Sequence, residues 1–327
     1  MRKIAAIGLA GLGLLSLAVT PARADENGAS LYLLGTGGPG AAILPPLEGV
    51  YFDNVLYIYD GDSDARKDFN LGGNVVADVE GTIVANFATL LWVPSTNVLG
   101  GTLAVGAALP YGVPIVDASV VLTGPRGRQL DVRLHDSAML IGDPVATAEL
   151  GWKSGKTHIA LSGMLNVPVG NYRQGELANL AFHRWAGDVS AAVSWHDDET
   201  GWDVSGKAGV TFNGQNEDTH YDSGTDLHFE AAVEKTFPSK WTLGALGYFF
   251  QQVSDDEGSG AKLGPYRGRV AGLGLTTSYS TILGRSPATF RLNVMQEFAA
   301  ENRLEGTAIM LSLALPLSMK LPPRPPS

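Results

Sequence analysis

Apolar and polar residues alternate one for one along segment after segment of this chain, and a period of two leaves room for β-strands and little else. From Thr157, residues Ile159, Leu161, Leu165 and Val167 share one face while His158, Ser162 and Asn166 share the other. Trp202, Val204, Ala208, Val210 and Phe212 oppose Asp203, Ser205, Lys207, Thr211 and Asn213. Leu227, Phe229, Ala231 and Val233 oppose His228, Glu230 and Glu234, and Phe290, Leu292, Val294 and Phe298 oppose Arg291, Asn293 and Glu297. Each strand therefore has one greasy side and one wet side.

That pattern fits a soluble sandwich and a membrane barrel equally well, so the connections have to separate them. Strands placed at about 50–60, 74–93, 98–122, 139–153, 157–168, 184–197, 201–213, 225–236, 241–253, 266–279, 288–298 and 306–317 number twelve, the third needing a bulge near Leu109 to Pro114. The connections after strands two, four, six and eight are tight (PSTN, SGK, DETG, FPSK), and the one after strand ten, Ser280 to Pro287, is somewhat longer. Those after odd strands are mostly long and polar, as at Thr123 to Ala138 and Val169 to His183. Short turns at one end, long loops at the other and an even strand number are the signature of an outer-membrane barrel. The uncharged run Gly81 to Val116 reads as a hairpin of two strands, because Pro94, Pro110 and Pro114 and the PSTN turn interrupt it.

Tryptophan supports the same assignment. Trp92, Trp152, Trp195, Trp202 and Trp241 all fall beside the short turns, as an aromatic girdle at the periplasmic boundary would require, whereas Trp185 lies at the long-loop end. Strict alternation from Asp78 and Glu80 turns Trp92 inward, so the girdle requires an irregularity in that strand.

Composition narrows the function. The 327 residues include no Cys, which removes disulfides, Cys-ligated zinc and a Cys nucleophile. A net charge of −10 gives no footprint for nucleic acid. Arg2-Lys3, an uncharged stretch to Thr20 and Ala22-Arg23-Ala24 read as a secretory signal peptide, residues 1–24, cleaved after Ala24. Its removal leaves 20 basic against 33 acidic residues in a mature chain of 303. Residues 25–49 form a Gly/Pro-rich segment, a possible plug or gate, ahead of a barrel over 50–317 and a periplasmic Pro-rich tail over 318–327.

The wet faces would line a lumen, for which the candidates are Glu149, His158, Lys207, His228, Glu230, Glu234, Arg267, Arg269, Arg291, Asn293 and Glu297, with Asp78, Glu80, Asn86 and Asn166 beside them. Other motifs are weak. Gly35-x-Gly37-x-x-Gly40 matches a dinucleotide fingerprint in letters only, since no strand precedes it and Pro39 to Pro46 forbid the helix that should follow. Asp60-x-Asp62-x-Asp64 begins like a calcium loop but has Ala65 and Leu71 where Gly and Glu are required. No cofactor, metal site or catalytic residue is assigned.

The segments GDPVATAELGW, NVPVGNY, LANLAFHRW, ETGWDVSGKAGVTFNGQNEDTHYDSGTDLHFEAAVEK and MQEFAAENRLEGTAIMLSLALPL, with the early block GGPGAAILPPLEGVYFDN, resemble the phenol meta-pathway degradation family, which includes SphA-like outer-membrane proteins. The resemblance spans nearly all the mature chain. It implies a β-barrel that admits hydrophobic or aromatic compounds, and it supplies no catalytic residues. The usual terminal aromatic assembly signal is absent, since the last strand ends at Leu317 and a Pro-rich tail follows.

The expectation is an all-β, transmembrane, antiparallel up-and-down barrel in a Gram-negative outer membrane. It would take up small hydrophobic or aromatic molecules by passive diffusion. Its partners would be outer-membrane lipid and lipopolysaccharide and the barrel assembly machinery. The rival expectations are a lipid-modifying enzyme, which would need Ser, His and an acid together, and a structural or adhesin-like barrel with a blocked lumen.

Overall fold

The computed structural model describes residues 26–63, 68–71, 73–123, 129–264 and 267–321; the expected signal peptide, residues 1–24, and most of the Pro-rich tail lie outside them. Twelve strands make the wall: β1 (Gly49–Asp62), β2 (Asn74–Val98), β3 (Gly101–Thr123), β4 (Val145–Ser154), β5 (Thr157–Asn166), β6 (Ala186–Asp197), β7 (Trp202–Asn213), β8 (Asp226–Thr236), β9 (Trp241–Gln252), β10 (Arg269–Leu283), β11 (Ser286–Glu301) and β12 (Glu305–Met319). Every neighbour in sequence is a neighbour in the sheet and all pairings are antiparallel. The last strand returns to the first, Gly49 opposite Met319 and Asp62 opposite Glu305, so the sheet closes on itself. Closure leaves no unpaired edge in the wall, the condition for a sheet to cross hydrocarbon.

Alternation sorts the side chains. On β6, Val189, Val193 and Trp195 are exposed while Asp188, Ser190 and Ser194 are buried; on β8, Phe229 and Val233 are exposed while Asp226, His228, Glu230 and Glu234 are buried. A soluble protein would reverse this. Exposed apolar residues around the cylinder with buried charges inside it define a molecule whose outer solvent is lipid, and the barrel therefore sits in the outer membrane.

The short ends differ in detail from the expected ones. The β2–β3 connection is Leu99-Gly100 instead of PSTN, and both residues have positive φ, 51° and 79°, which matches a tight two-residue hairpin turn. The β10–β11 connection is also only two residues, Gly284-Arg285. No bulge occurs at Leu109 to Pro114: the β2–β3 register runs unbroken from Trp92–Val105 to Glu80–Asp117. The prolines are accommodated because β4 stops at Val145, opposite Ala108, so the far side of β3 beyond that point faces only the short strands Leu140–Ile141 and Gln129–Ser137. The irregularity lies instead at Asp78, whose φ is +47° and where the register shifts.

After that shift Glu80, Val84, Asn86, Leu90 and Trp92 all lie on the outer side of β2, opposite buried Ala85 and half-buried Phe87, whose ring meets Tyr57 inside. Asp78, Glu80 and Asn86 are thus not lumen residues, and Trp92 faces lipid with no further distortion. Glu80 lies beyond the apolar band at the loop end. Asn86 does not: it accepts a hydrogen bond of 3.1 Å from Asn54, and the pair sits mid-strand on the lipid side.

The outer loops are tied to the barrel by two acids, Asp143, which is buried, and Asp136, which is half-buried. Asp143 accepts from the amides of Gly170, Phe182 and His183 and from Asn166 Nδ2, all at 2.8–3.0 Å, and so joins the break before β4 to the β5–β6 loop. Asp136, in the short strand Gln129–Ser137, receives Arg173 Nη2 at 2.7 Å and the Ala178 amide at 2.8 Å. Burial pushes the Asp136 carboxyl up, but the Ala178 amide and the Arg173 guanidinium outweigh it and hold the group below its ordinary value.

Two outcomes are expected. Asn54→Leu with Asn86→Leu removes two partly satisfied amides from the lipid face and raises the unfolding free energy of vesicle-inserted protein, read from its urea titration, by about 1–3 kcal/mol. Because the folded pKa of Asp136 lies below its unfolded value near ~3.9, its contribution is complete above that value and disappears as pH falls through the folded one. Hydrogen exchange in residues 167–185 therefore accelerates on acidification, and Asp136→Asn removes that acid dependence.

Candidate functional site

The wet faces of β6, β7, β8 and β11 form a polar wall. Asp188 is the centre of its upper part, accepting from Ser190 Oγ at 2.5 Å and Thr211 Oγ1 at 2.7 Å and contacting His228 Nε2 at 2.9 Å. Lower down, Arg291 pairs with Glu234 and donates to Thr276 at 2.8 Å. Glu297 binds Tyr59 OH at 2.7 Å, Tyr248 OH at 2.9 Å and the Gly306 amide at 3.0 Å, joining β1, β9 and β12 through one carboxylate. Tyr57, Tyr59, Tyr248, Phe250, Met295 and Met310 make the facing wall aromatic and apolar.

Residues 26–48 lie between the two walls. Near the outer mouth Glu26 is fully buried and accepts from Asn216 Nδ2 at 2.9 Å; burial pushes its carboxyl up, against the opposing pull of Arg184. Tyr32 stacks on His228, centroids 3.6 Å apart and planes 14° off parallel, with Lys207 Nζ 5.0 Å from the tyrosine ring. The amides of Gly35 and Gly37 donate to the two carboxylate oxygens of Glu230, each at 2.6 Å. Ala42 N donates to Ser194 Oγ at 3.0 Å, Leu44 packs against Gly151, and at the periplasmic end Lys320 Nζ meets Glu48 at 2.9 Å.

This packing explains the glycine motif. Gly35 has φ +90°, and a Cβ there would collide with Met295; a Cβ at Gly37 would collide with Tyr32 OH. The Gly-x-Gly spacing lets the backbone reach a carboxylate wedged between side chains. A phosphate has no part in it.

Of the expected lumen residues, Lys207, His228, Glu230, Glu234, Arg291, Asn293 and Glu297 converge on residues 26–48 or brace the wall around them. Glu149 is half-buried on the inner face of β4, next to Gly151, and His158 lies half-buried near the β4–β5 turn. Two residues sit elsewhere. Arg267 bonds Asp255 at 2.6 Å among the outer loops, and Arg269 pairs with Glu301 at 2.7 Å on the same side of β10 as exposed Leu273 and Leu275. Neither lines the lumen, because the strand starts only at Arg269 and its inner face begins with Val270. Trp92, Trp195, Trp202 and Trp241 are exposed on the outer surface near the short turns, and Trp152 donates to Leu99 O at 3.1 Å. Asp60 accepts from Thr82 at 2.8 Å, Asp64 and Ala65 fall outside the described residues, and no metal-holding group of acids and histidines occurs among the described ones.

Tyr32, Asp188, Tyr59 and Tyr248 were absent from the expected set. Asp188, Ser190 and Ser194 were recoverable from their alternation with Val189, Val193 and Trp195. Tyr32 carries no comparable signal.

These features define a class: an outer-membrane barrel whose lumen is occupied by its own chain. The chain belongs to the family described as putative MetA-pathway of phenol degradation, whose model matches residues 65–313. An outer membrane channel from Pseudomonas putida F1 shares the fold, with a TM-score of 0.63, 18% identity, 84% of this chain covered and 98% of that one. The CymD monoaromatic hydrocarbon channel aligns at TM-score 0.44, 9% identity, 85% and 92% coverage. A FadL homologue from Pseudomonas aeruginosa aligns at 0.41, 10% identity, 90% and 98% coverage. No curated protein matches.

Glu230 carries the tightest hold on residues 26–48. Hydrogen bonds to a charged group contribute about 1.5–3 kcal/mol each, so Glu230→Ala should release the segment by far more than a factor of ten. Because the chain has no cysteine, Ala42→Cys, at a position buried against the wall, provides a single maleimide target. Its labelling rate is expected to rise at least about tenfold in the Glu230→Ala background. An unchanged rate would assign the hold to other contacts.

Proposed function

We propose that the protein is a passive outer-membrane channel for small hydrophobic or aromatic molecules, and that residues 26–48 are its gate. The observation that carries this is the Gly35–Gly37 contact with Glu230: a lumen filled only for rigidity would be packed by wall side chains, whereas here a separate stretch of chain, with Tyr32 and Leu34 packed among the aromatic and Met side chains of the wall, is pinned through its backbone to one carboxylate. Family membership agrees with an aromatic cargo. Neither a cofactor nor an energy source enters the proposal.

We also infer that residues 1–24 are removed on export, that the barrel assembly machinery inserts the chain, and that lipopolysaccharide covers the outer leaflet. Residues 318–327 would lie in the periplasm.

The rival enzyme has one specific observation in its favour, since Ser190, His228 and Asp188 do meet. The arrangement is nonetheless wrong for acyl transfer. Ser190 at 3.4 Å and Asp188 at 2.9 Å both address His228 Nε2, so the acid does not orient the base from its other nitrogen. All three side chains are buried on the lumen side of the wall, behind Tyr32. His158 and Ser162 share no hydrogen bond among the described residues.

Planar bilayer recording tests the channel. The intact protein should show small, intermittent conductance, and deletion of residues 26–45 should give a large, steady one together with faster toluene entry into liposomes. A deletion variant that folds, by its heat-dependent gel mobility, yet passes neither ions nor toluene would refute it. Ser190→Ala should leave conductance intact, and phospholipase activity abolished by that substitution would favour the enzyme.

A further inference from the structure

Between the N-terminal segment and the inner faces of β1, β11 and β12 lies a cavity of about 320 Å³, bounded by Pro39, Asp53, Val55, Arg291, Asn293 and Met310. Its size is at the lower end for small-molecule sites, roughly 300–1,000 Å³, enough for one substituted ring. Val55, Met310 and Pro39 supply apolar contact; the polar groups are unusual in what they leave open.

Arg291, the one cation, is already taken: both terminal nitrogens address Glu234 and one also reaches Thr276. Asn293 is 5% exposed, its Nδ2 donates to Gly35 O at 3.3 Å, and its Oδ1 has no partner. Asp53 forms no ion pair or hydrogen bond among the described residues. The vacant positions are the Asn293 and Asp53 acceptors together with the Ser312 hydroxyl, which lines the same cavity and can donate or accept, and the uncompensated charge is negative. An unpaired buried acceptor is costly, so a ligand that brings a hydroxyl donor gains where a ligand without one leaves the cost standing. A carboxylate meets the charge of Asp53 and finds no free guanidinium.

The two acceptors lie at different levels. Register places Asn293 opposite Met310, itself opposite Tyr57, while Asp53 is opposite Ala314, four residues nearer the periplasmic end of β1. Two inter-strand steps of about 4.8 Å and four residues of about 3.4 Å put their backbones roughly 16 Å apart, too far for one hydroxyl to use both. They are successive stations, the arrangement that lets a solute bind without being trapped.

We propose that this cavity is a selectivity site for neutral, single-ring aromatics bearing a hydroxyl group. Asn293 Oδ1 accepts the hydroxyl at the outer station, directly beside the gate, and Asp53 accepts it at the inner one. The proposal rests on the channel reading and sharpens it, from hydrophobic compounds in general to hydrogen-bond donors in particular.

The test is ligand binding to the full chain in detergent micelles, by saturation-transfer NMR, with phenol, anisole, toluene and benzoate as probes. Wild type is expected to bind phenol at least tenfold more tightly than anisole or toluene and to bind benzoate least. Asn293→Ala should bring phenol towards anisole. Asp53→Asn keeps an acceptor and removes the charge, so it should admit benzoate while preserving the preference for phenol over anisole. Heat-dependent gel mobility checks that each variant is folded. Equal binding of phenol and anisole to wild type, or a phenol preference untouched by Asn293→Ala, would overturn the proposal. Binding in micelles requires no passage, so a barrel that conducts without this discrimination loses the selectivity site alone, and one that discriminates but passes nothing loses the channel alone.

Discussion

The seam between β1 and β12 is the interaction on which the molecule depends. Its fourteen paired positions, Gly49–Met319 to Asp62–Glu305, convert a sheet with two raw edges into a wall with none. In hydrocarbon each unpaired backbone group costs several kcal/mol, so a partly closed sheet is not a slightly weaker version of this structure; it has no stable place in a membrane. Closure also fixes the number of strands, and with it the width of the interior.

A narrow closed wall with polar residues on its inner side creates its own difficulty. Asp188, Glu230, Glu234 and Glu297 stand inside a space too small to hydrate them as bulk water would, and burial of a carboxylate is tolerated only when its oxygens are occupied. The chain solves this in two ways. Wall residues satisfy one another, as at Arg291–Glu234 and Tyr59–Glu297–Tyr248. Where the wall has no partner to offer, the N-terminal segment brings backbone amides, and Glu230 takes two of them. The same physics that stabilises the interior thus also sets the strength of the gate.

Much of this was legible beforehand. Strand number, the closed antiparallel order and the sidedness of β6 to β8 and β11 follow from a period of two combined with connection length. Errors arose where one residue resets the period. Asp78, with its positive φ, reverses the faces of β2, so counting from it assigned Glu80 and Asn86 inward and made Trp92 look misplaced. Arg269 was misassigned for a related reason: it is the first residue of its strand, and polarity near a strand end reports the water above the membrane as readily as the lumen. The N-terminal segment was legible only as Gly- and Pro-rich. Its contacts with Glu230, His228 and Ser194 join positions more than 150 residues apart, and no local pattern encodes a contact of that range.

Residue 26 lies at the outer mouth, whereas β1 begins at the periplasmic end, so the first described stretch runs the length of the pore in the direction opposite to β1. A cylinder that sealed before admitting this stretch would have to be threaded afterwards, past the Tyr248–Glu297 and Arg291–Glu234 pairs already formed. If the β1–β12 seam is instead the last to zip, the strands wrap around a filament already in position. Folding order and pore occupancy are then one event, and a mutation that delays the seam would be felt first by the filament within.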